Sequence, residues 1–295
     1  MSRSTLSRSE VRAKSTLRQI GAGIEVPPNS TRILRRWNML EAVKSYSIEP
    51  EKLLLRSYRD GSIMSNQSLV PSMEDTYGAP WLLIHRANFQ KVLAQEAEKL
   101  GVRFRMGFPV TKIDYSSLSI ASSSTDTAIQ VDAILGADGL HSMCRSEVQA
   151  NCDSVLVTND IAYRITIKAD DMRKHHRLSE LLAIPVINAW LGPNAHVVSY
   201  TLKETGLYNF VFICRVQLDG IGEMHEFFKG WDPRLCMLLD IAGKTRKWDL
   251  YTSNEMETWI HPKSAFALLG DACHPMHPYL LVASSKNLQN GGLDR

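Results

Sequence analysis

A carboxylate directly after a buried strand is the feature of this sequence with the clearest chemical potential. Residues 266–269 are four apolar residues, which predict a short buried strand, and Gly270 ends that strand immediately before Asp271. Open α/β sheets bind ligands beyond the carboxyl ends of their strands. We therefore expect Asp271 to accept hydrogen bonds from a bound small molecule. An ordinary turn between strand and loop is the alternative interpretation.

A second carboxylate occurs in the same local setting. Residues 133–136 predict another short strand, and Gly-Ala-Asp-Gly follows the pattern of strand, carboxylate and turn around Asp138. Ser142 and Arg145 are one helical turn apart and would share a face. Asp138 is therefore a second candidate binding residue, and a helix-capping carboxylate is the alternative.

Small residues and an arginine mark two further candidates. Ala22 and Gly23 lie in a Gly-Ala-Gly run, where small residues allow a close approach between backbone and ligand. A dinucleotide fingerprint is rejected because its third glycine is absent and no strand precedes it; a glycine turn before a helix capped by Asn29 or Ser30 is the alternative. Arg86 precedes a helix predicted over residues 89–100, where the helix dipole disfavours a positive charge, and this favours a functional arginine over a surface one.

The region 151–255 reads as an antiparallel sheet. Apolar side chains at 161, 163, 165 and 167 alternate with polar ones, so Arg164 faces away from the predicted core. If Arg164 lines a cleft, its guanidinium can hold an anionic ligand; otherwise it is a solvated strand residue. Tyr200 lies on a strand predicted over residues 196–202 and is either a site residue or part of the core.

Together these blocks resemble the group A flavin monooxygenases, the salicylate-hydroxylase-like aromatic hydroxylases, over roughly residues 17–280. The resemblance implies an α/β fold with α+β elements, in which an incomplete Rossmann-like FAD-binding domain accompanies an antiparallel-sheet substrate domain. It also implies an enzyme that uses FAD, NAD(P)H and O₂ to hydroxylate an aromatic or related small molecule, in secondary metabolism or aromatic catabolism. The predicted segments are a disordered Ser/Arg-rich tail (1–18), the FAD-binding domain (19–150), the substrate domain (151–255) and a return to the FAD-binding domain (256–295).

The resemblance also gives each candidate residue a role. Asp271 would accept a hydrogen bond from the ribityl chain of FAD, and Asp138 would lie where FAD and the nicotinamide cofactor meet. The remaining assignments are cofactor contacts by Ala22, Gly23, Arg86 and Ser284, and substrate contacts by Arg164 and Tyr200. Ser284 falls in an apolar-to-serine run where the family has a glycine turn.

The family's GxGxxG unit, which grips the ADP half of FAD, has no counterpart in residues 1–18. We therefore expect the chain, which reads as truncated at both ends, to retain FAD weakly or not at all. The alternative hypothesis is a non-catalytic remnant that acts as a binding protein or has no function.

Composition restricts the other function classes. The net charge of +3 with no dense basic face argues against nucleic acid, and no apolar run reaches the ~20 residues of a membrane span. Five cysteines without a CxxC pair favour a reducing, cytoplasmic location. The spacing of His261, Cys273, His274 and His277 fits no zinc signature, so no metal is expected. The expected partner is a small-molecule substrate, and the oligomeric state stays open.

Overall fold

The computed structural model describes residues 8–12, 23–149, 155–203 and 206–276 of the 295-residue chain. The strands are β1 (Arg8–Val11), β2 (Gly23–Val26), β3 (Ser47–Ile48), β4 (Lys52–Ser57), β5 (Ile63–Ser68), β6 (Leu82–His85), β7 (Val102–Arg105), β8 (Val110–Asp114), β9 (Ser119–Ser122), β10 (Thr125–Gln130), β11 (Ile134–Gly136), β12 (Leu156–Lys168), β13 (Val186–Gly192), β14 (Ala195–Leu202), β15 (Leu207–Cys214), β16 (Arg246–Thr252) and β17 (Phe266–Leu268).

The helices are α1 (Pro28–Arg36), α2 (Leu40–Lys44), α3 (Ser72–Tyr77), α4 (Arg86–Lys99), α5 (Arg145–Val148), α6 (Ala169–Arg173), α7 (His176–Ser179), α8 (Ile221–Phe227) and α9 (Pro233–Ile241). Two 3₁₀ turns cover Glu180–Leu182 and Gly270–Ala272. Within the described ranges, none of these helices combines the length and the apolar character that crossing a membrane requires.

A seven-stranded sheet in the order β16-β12-β15-β14-β13-β4-β5 is the largest element. Its neighbouring strands run antiparallel except β13 and β4, which are parallel. The antiparallel sheet predicted for 151–255 is present, and it also takes β4 and β5 from the segment predicted as the FAD-binding domain. The strands of this sheet therefore come from both of the segments that were predicted from the sequence.

The two faces of this sheet differ in what covers them. The core face carries Tyr163, Ile165, Phe210 and Phe212, which are buried against the helices that follow the strands. The opposite face, which we call the open face, carries Arg164. The alternation predicted from the sequence is thus correct, because the apolar residues on either side of Arg164 enter the core.

Smaller sheets make up the rest of the molecule. β1 pairs in parallel with β7, and β11 pairs in parallel with β17, as strands of a Rossmann-like domain do. Three-stranded sheets have the orders β2-β6-β3 and β10-β9-β8. Strand β1 lies inside the segment predicted as a disordered tail, and its four residues are ordered by the backbone ladder to Val102–Arg105.

Three local predictions differ from the structure. Helix α4 begins at Arg86 rather than at 89, because Nδ1 of His85 accepts the backbone N–H of Ala87 at 3.2 Å and caps the first turn. Neither Asn29 nor Ser30 caps α1, which begins with Pro28, a residue preorganised for the first helical position. The serine-rich composition of residues 116–127 predicts a hairpin loop, but this segment contains all of β9 and the start of β10, whose ladder supplies the backbone hydrogen bonds.

Candidate functional site

The parallel pair β11 and β17 brings the two carboxylate motifs together. Gly136 is in register with Leu268, and its carbonyl accepts the backbone N–H of Leu269 at 2.8 Å. Both strands therefore end at the same edge, with Asp138 and Asp271 just beyond it. A cavity of about 300 Å³ opens there, lined by Ala137, Gly139, Leu269, Gly270 and Asp271.

The carboxylate of Asp138 organises its own turn. One oxygen accepts the hydroxyl of Ser142 at 2.6 Å, and the other accepts the backbone N–H groups of Met143 at 2.8 Å and Cys144 at 3.3 Å. These bonds satisfy donors just before α5, as a capping carboxylate does. Asp138 thus orders the turn before α5 without capping the helix itself, whose N-cap residue is Cys144, and its contact with a cofactor stays a prediction.

Arg145 ties the two motifs to each other, which the sequence did not reveal. Its side chain is buried, and Nε donates to the carbonyl of Ala272 at 2.8 Å. Nη2 donates to the carbonyls of Asp271 at 2.8 Å and Leu140 at 3.1 Å. The guanidinium therefore fixes the Gly-Asp turn against the Asp138 turn. The spacing of Ser142 and Arg145 marked this residue, but not its partners.

The residues around this cavity fit the ribityl portion of FAD. The side chain of Asp271 is exposed and lines the cavity, where its carboxylate can accept hydrogen bonds from the hydroxyls of a polyol. Gly139 has a positive φ of 84°, and a Cβ added there would meet no atom within 4 Å. A ligand can therefore approach the backbone at this position.

A second group of candidates meets at the open face. Tyr200 is buried, and its ring lies against Gly23: a Cβ added to Gly23 would be 2.3 Å from Cε2 of Tyr200. Arg86 and Arg164 are both close enough to Tyr200 to lower the pKa of its phenol, which burial chiefly raises. The structure thus brings together four of the residues singled out in the sequence.

Arg164 is held in an unusual electrostatic setting. Burial chiefly lowers the pKa of its guanidinium, the charge of Arg86 lowers it further, and Tyr200 opposes both effects. Its Nε is buried and has no hydrogen-bond partner among the described residues. The guanidinium carbon lies 5.2 Å from the centre of the Trp248 ring, a cation–π contact. This arginine is therefore positioned but not neutralised.

Glu25 is a buried acid beside this group that sequence reasoning missed. Burial raises the pKa of its carboxyl group to about 7, and the indole N–H of Trp81 acts in the opposite direction. Glu25 is also among the causes that raise the pKa of Tyr200. The available signal was its position two residues after Gly23 on β2, which directs the Glu25 side chain to the face on which the Gly23 backbone meets Tyr200.

His196 extends the open face beyond Tyr200. It precedes Tyr200 by four residues on β14, so the two side chains project to the same side. Burial lowers the pKa of the His196 imidazole, while the carboxylate of Asp160 opposes this change. A cavity of about 240 Å³ lies beside it, and Nε of Arg215 is 3.4 Å from Oδ1 of Asp160 at its edge.

Two predicted cofactor contacts, Ala22 and Ser284, lie outside the described residues and stay predictions.

The Asp138 turn and the seven-stranded sheet are in contact, since the ring of His141 packs edge to face on Tyr251 of β16 with centroids 5.7 Å apart. No group of three or more potential metal ligands of the His, Cys, Asp and Glu types occurs in the described part of the chain.

Comparison with known proteins identifies the class. No family model matches the chain. It is 33% identical over 286 residues to the FAD-dependent monooxygenase OpS4 of Beauveria bassiana, covering 93% of this chain and 67% of that protein. It is 27% identical over 286 residues to 3-hydroxybenzoate 6-hydroxylase 1 of Aquipseudomonas alcaligenes, covering 93% of this chain and 70% of the relative. The chain belongs to the FAD-dependent monooxygenases, and the prediction of this enzyme class and of FAD as cofactor is confirmed.

Solved structures confirm the fold. The structure of CtdE with FAD and a substrate has a TM-score of 0.82 at 18% identity, covering 95% of this chain and 72% of that one. The Klebsiella pneumoniae HpxO complex with FAD and uric acid has a TM-score of 0.79 at 18% identity, covering 95% and 70% of the two chains. The predicted α/β architecture with its antiparallel sheet is therefore correct.

Proposed function

We propose that this monooxygenase hydroxylates a small aromatic compound that carries an anionic group, using NAD(P)H and O₂. The observation that carries the proposal is the guanidinium of Arg164 on the open face. Its electrostatic neighbours in the described residues are Arg86 and Tyr200, and no carboxylate is among them. Arg246, on the neighbouring strand, is directly opposite Arg164 in the ladder, but its side chain is exposed and the positive charge that acts on Arg164 is that of Arg86.

Convergent positive charges favour an anionic ligand. Guanidinium groups that lie close together repel each other, and residues of like charge directly opposite in a ladder are destabilising. A carboxylate or phenolate bound between them would remove that repulsion. It would also accept charge-assisted hydrogen bonds from the planar fork of Arg164.

Apolar side chains beside Arg164 suit a flat ring. The ladder places Val211 opposite Arg164, and Val198 opposite Val211. Both valines are half-buried. Ala162 and Ile213 continue this apolar surface, since they lie two residues from Arg164 on β12 and from Val211 on β15. An aromatic ring with its charged group at Arg164 can therefore lie on an apolar floor, as in most small-molecule sites.

Two residues of the chain act on the substrate: Arg164 orients it, and His196 accepts its proton. FAD, when bound, supplies the oxygen chemistry of the hydroxylation. Arg164 fixes the acidic group, and this sets which ring carbon is presented. His196 has its imidazole pKa lowered by burial, so it is neutral near pH 7 and can accept the proton of a phenolic substrate.

Several relatives carry names that agree with this substrate class. The names 6-hydroxynicotinate 3-monooxygenase and 3-hydroxybenzoate 6-hydroxylase each specify a hydroxylated ring with a carboxylate. Such reactions belong to aromatic catabolism or to secondary metabolism. The test supplies FAD in excess, because the sequence predicts weak binding of its ADP half.

The test is substrate-dependent oxidation of NADH or NADPH with FAD in excess and a panel of hydroxybenzoates, aminobenzoates and hydroxynicotinates. We expect at least one ring acid to stimulate oxidation and to gain one oxygen atom by mass spectrometry. Uncharged phenols of the same size should stimulate much less. Stimulation by uncharged rings alone, or oxidation without an oxygenated product for every compound, would contradict the proposal.

A further inference from the structure

The two outer strands of the seven-stranded sheet differ in the charge of their side chains. Strand β16 carries Arg246, Lys247 and Asp249, and charged side chains of this kind protect a sheet edge against pairing with another chain. Strand β5, at the other end of the sheet, has no charged residue. Among the described edge strands longer than three residues, β5 is alone in this respect. It therefore lacks the protection that the other edges have.

Strand β5 is open to solvent along its whole length. All six of its side chains are exposed, with Ile63 at 53% and Met64 at 57%. Within the described residues its ladder is with β4, so the N–H and C=O groups of alternate residues point away from the sheet. A row of such backbone groups is a template for one further strand.

Symmetry restricts how β5 can pair with a second copy of itself. In a two-fold antiparallel pair, one residue lies directly opposite its own copy, because residues opposite each other share a face of the sheet. The ladder to β4 is irregular at its Ile63 end, so the axis is expected in the regular part, Ser65–Ser68. With Asn66 on the axis, every pair falls within β5. An axis at Gln67 would include Leu69, which lies beyond the strand.

The side chains of β5 are complementary to themselves in this register. The amide of Asn66 both donates and accepts, so the two opposing amides can hydrogen-bond to each other. Ser65 would lie opposite Gln67 of the second copy, and Met64 opposite Ser68. No pair places like charges opposite each other, which would be destabilising. A strand without charge also has nothing to attract a charged peptide, which favours a second copy as the occupant.

We propose that two copies of this chain associate by antiparallel pairing of β5, with Asn66 on the two-fold axis. The pairing joins the two seven-stranded sheets into one continuous sheet. A strand edge of six residues is expected to bury less than the ~1,200 Å² of a standard interface, so the dimer is weak and depends on concentration. Arg164 lies on β12, five strands from β5, and the association is therefore independent of the proposed function.

The first experiment is analytical ultracentrifugation of the full chain from about 10 µM to about 1 mM, a range that suits a weak interface. Wild type should change from monomer to dimer across this range. Asn66→Asp, which keeps the shape of the side chain, should weaken the dimer about tenfold, because two carboxylates then face each other and the amide pair is lost. Gln130→Glu, the same change at an exposed position of edge strand β10, should behave as wild type.

The second experiment locates the axis. Residues directly opposite in an antiparallel ladder have Cβ atoms about 4.5–5.5 Å apart, close to the separation that a disulfide requires. Mild oxidation should therefore convert Asn66→Cys into a covalent dimer faster than Gln130→Cys or wild type. The Tm of each variant, measured at low concentration, should equal that of wild type because both positions are exposed.

Three results would overturn the inference. The first is a wild-type chain that stays monomeric at about 1 mM. The second is a dimer that Asn66→Asp leaves intact, since the copies would then meet at another surface. The third is equal weakening by Asn66→Asp and Gln130→Glu, which would indicate a general effect of added negative charge. None of these results bears on the substrate-dependent oxidation that tests the proposed function.

Discussion

The two faces of the seven-stranded sheet differ in whether their buried polar groups have hydrogen-bond partners. On the core face, the indole N–H of Trp190 donates to Oδ2 of Asp232 at 2.7 Å, and Arg234 donates to the same oxygen at 2.6 Å. Asn188 and Tyr208 are hydrogen-bonded to each other there. Every member of this set has a partner within the protein.

The open face leaves comparable groups without partners. Nε of Arg164 and both amide atoms of Asn209 are buried and unpaired within the described residues. Tyr208 and Asn209 are neighbours on β15 and fall on opposite faces, so the strand itself does not decide which group has a partner. The satisfied groups stabilise the fold, whereas the half-buried guanidinium of Arg164 keeps donors that a ligand can use. Substitutions on the two faces should therefore separate stability from binding.

The largest effect is expected on the core face, from Asp232→Ala. Burial acts to raise the pKa of this carboxyl group, but the bonds from Arg234 and Trp190 hold the pKa below its usual value. Removing the carboxylate leaves a largely buried guanidinium without its partner, a change that costs about 3–5 kcal/mol. Urea unfolding should show this loss, with Asp232→Asn retaining part of the stability. A loss below about 1 kcal/mol would remove the contrast between the faces.

The next effect is a pH dependence that arises from Glu25. Its folded pKa of about 7 lies above the ordinary 4.5, so the folded state holds the proton more tightly than the unfolded state. Stability should therefore fall as pH rises from about 4.5 to about 7, by about 3 kcal/mol. The free energy of unfolding should change less with pH across this range in Glu25→Gln than in wild type. An identical slope in wild type and variant would show that Glu25 is not the titrating group.

Gly23→Ala should perturb the open face without removing any polar group. Its new Cβ would be 2.3 Å from Tyr200 and 2.9 Å from Leu202, and overpacking of this kind costs about 1–3 kcal/mol. Gly222→Ala is the matched control, because a Cβ in that helix meets no atom within 4 Å. Thermal unfolding should show a lower Tm for Gly23→Ala but not for Gly222→Ala. Equal Tm values for both would place Tyr200 away from Gly23.

The smallest effect is expected from Trp248→Leu. The indole holds the guanidinium of Arg164 without supplying a negative charge, and a cation–π contact at an exposed site contributes about 0.5–1 kcal/mol. Affinity for 3-hydroxybenzoate should fall about two- to fivefold, and Trp248→Phe should restore most of it. Trp259→Leu is the control, since that side chain is 38% exposed against 40% for Trp248. An equal loss in the control would indicate a general effect of removing a surface indole.

Local pattern was sufficient to predict much of this arrangement. The alternation around Arg164 gave its strand and its face, because side chains in a strand project to opposite sides. The two apolar segments that end in Gly-Asp and Gly-Ala-Asp-Gly predicted strands that lead into ligand-binding turns. The structure then places these two strands side by side.

Long-range partners could not be predicted in the same way. Arg145 donates to carbonyls more than 120 residues away, and backbone acceptors carry no signal in the sequence. The pKa of Glu25 depends on its burial and on Trp81, which precedes β6, and neither is visible in the sequence around Glu25. Whether Asn209 has a partner is also a property of the folded chain, since Asn188 is the same residue type in the same sheet and is satisfied.

The most direct test of the central claim is the affinity of 3-hydroxybenzoate for wild type, Arg164→Lys and Arg164→Ala, measured by calorimetry with FAD in excess and accompanied by Tm. Loss of a charge-assisted hydrogen bond costs about 1.5–3 kcal/mol, so affinity should fall about tenfold or more for alanine and less for lysine. Because Arg164 lacks a protein partner at Nε, Tm without ligand should stay the same or rise. Unchanged affinity with a lowered Tm in Arg164→Ala would contradict the account, since Arg164 would then serve the fold rather than a ligand.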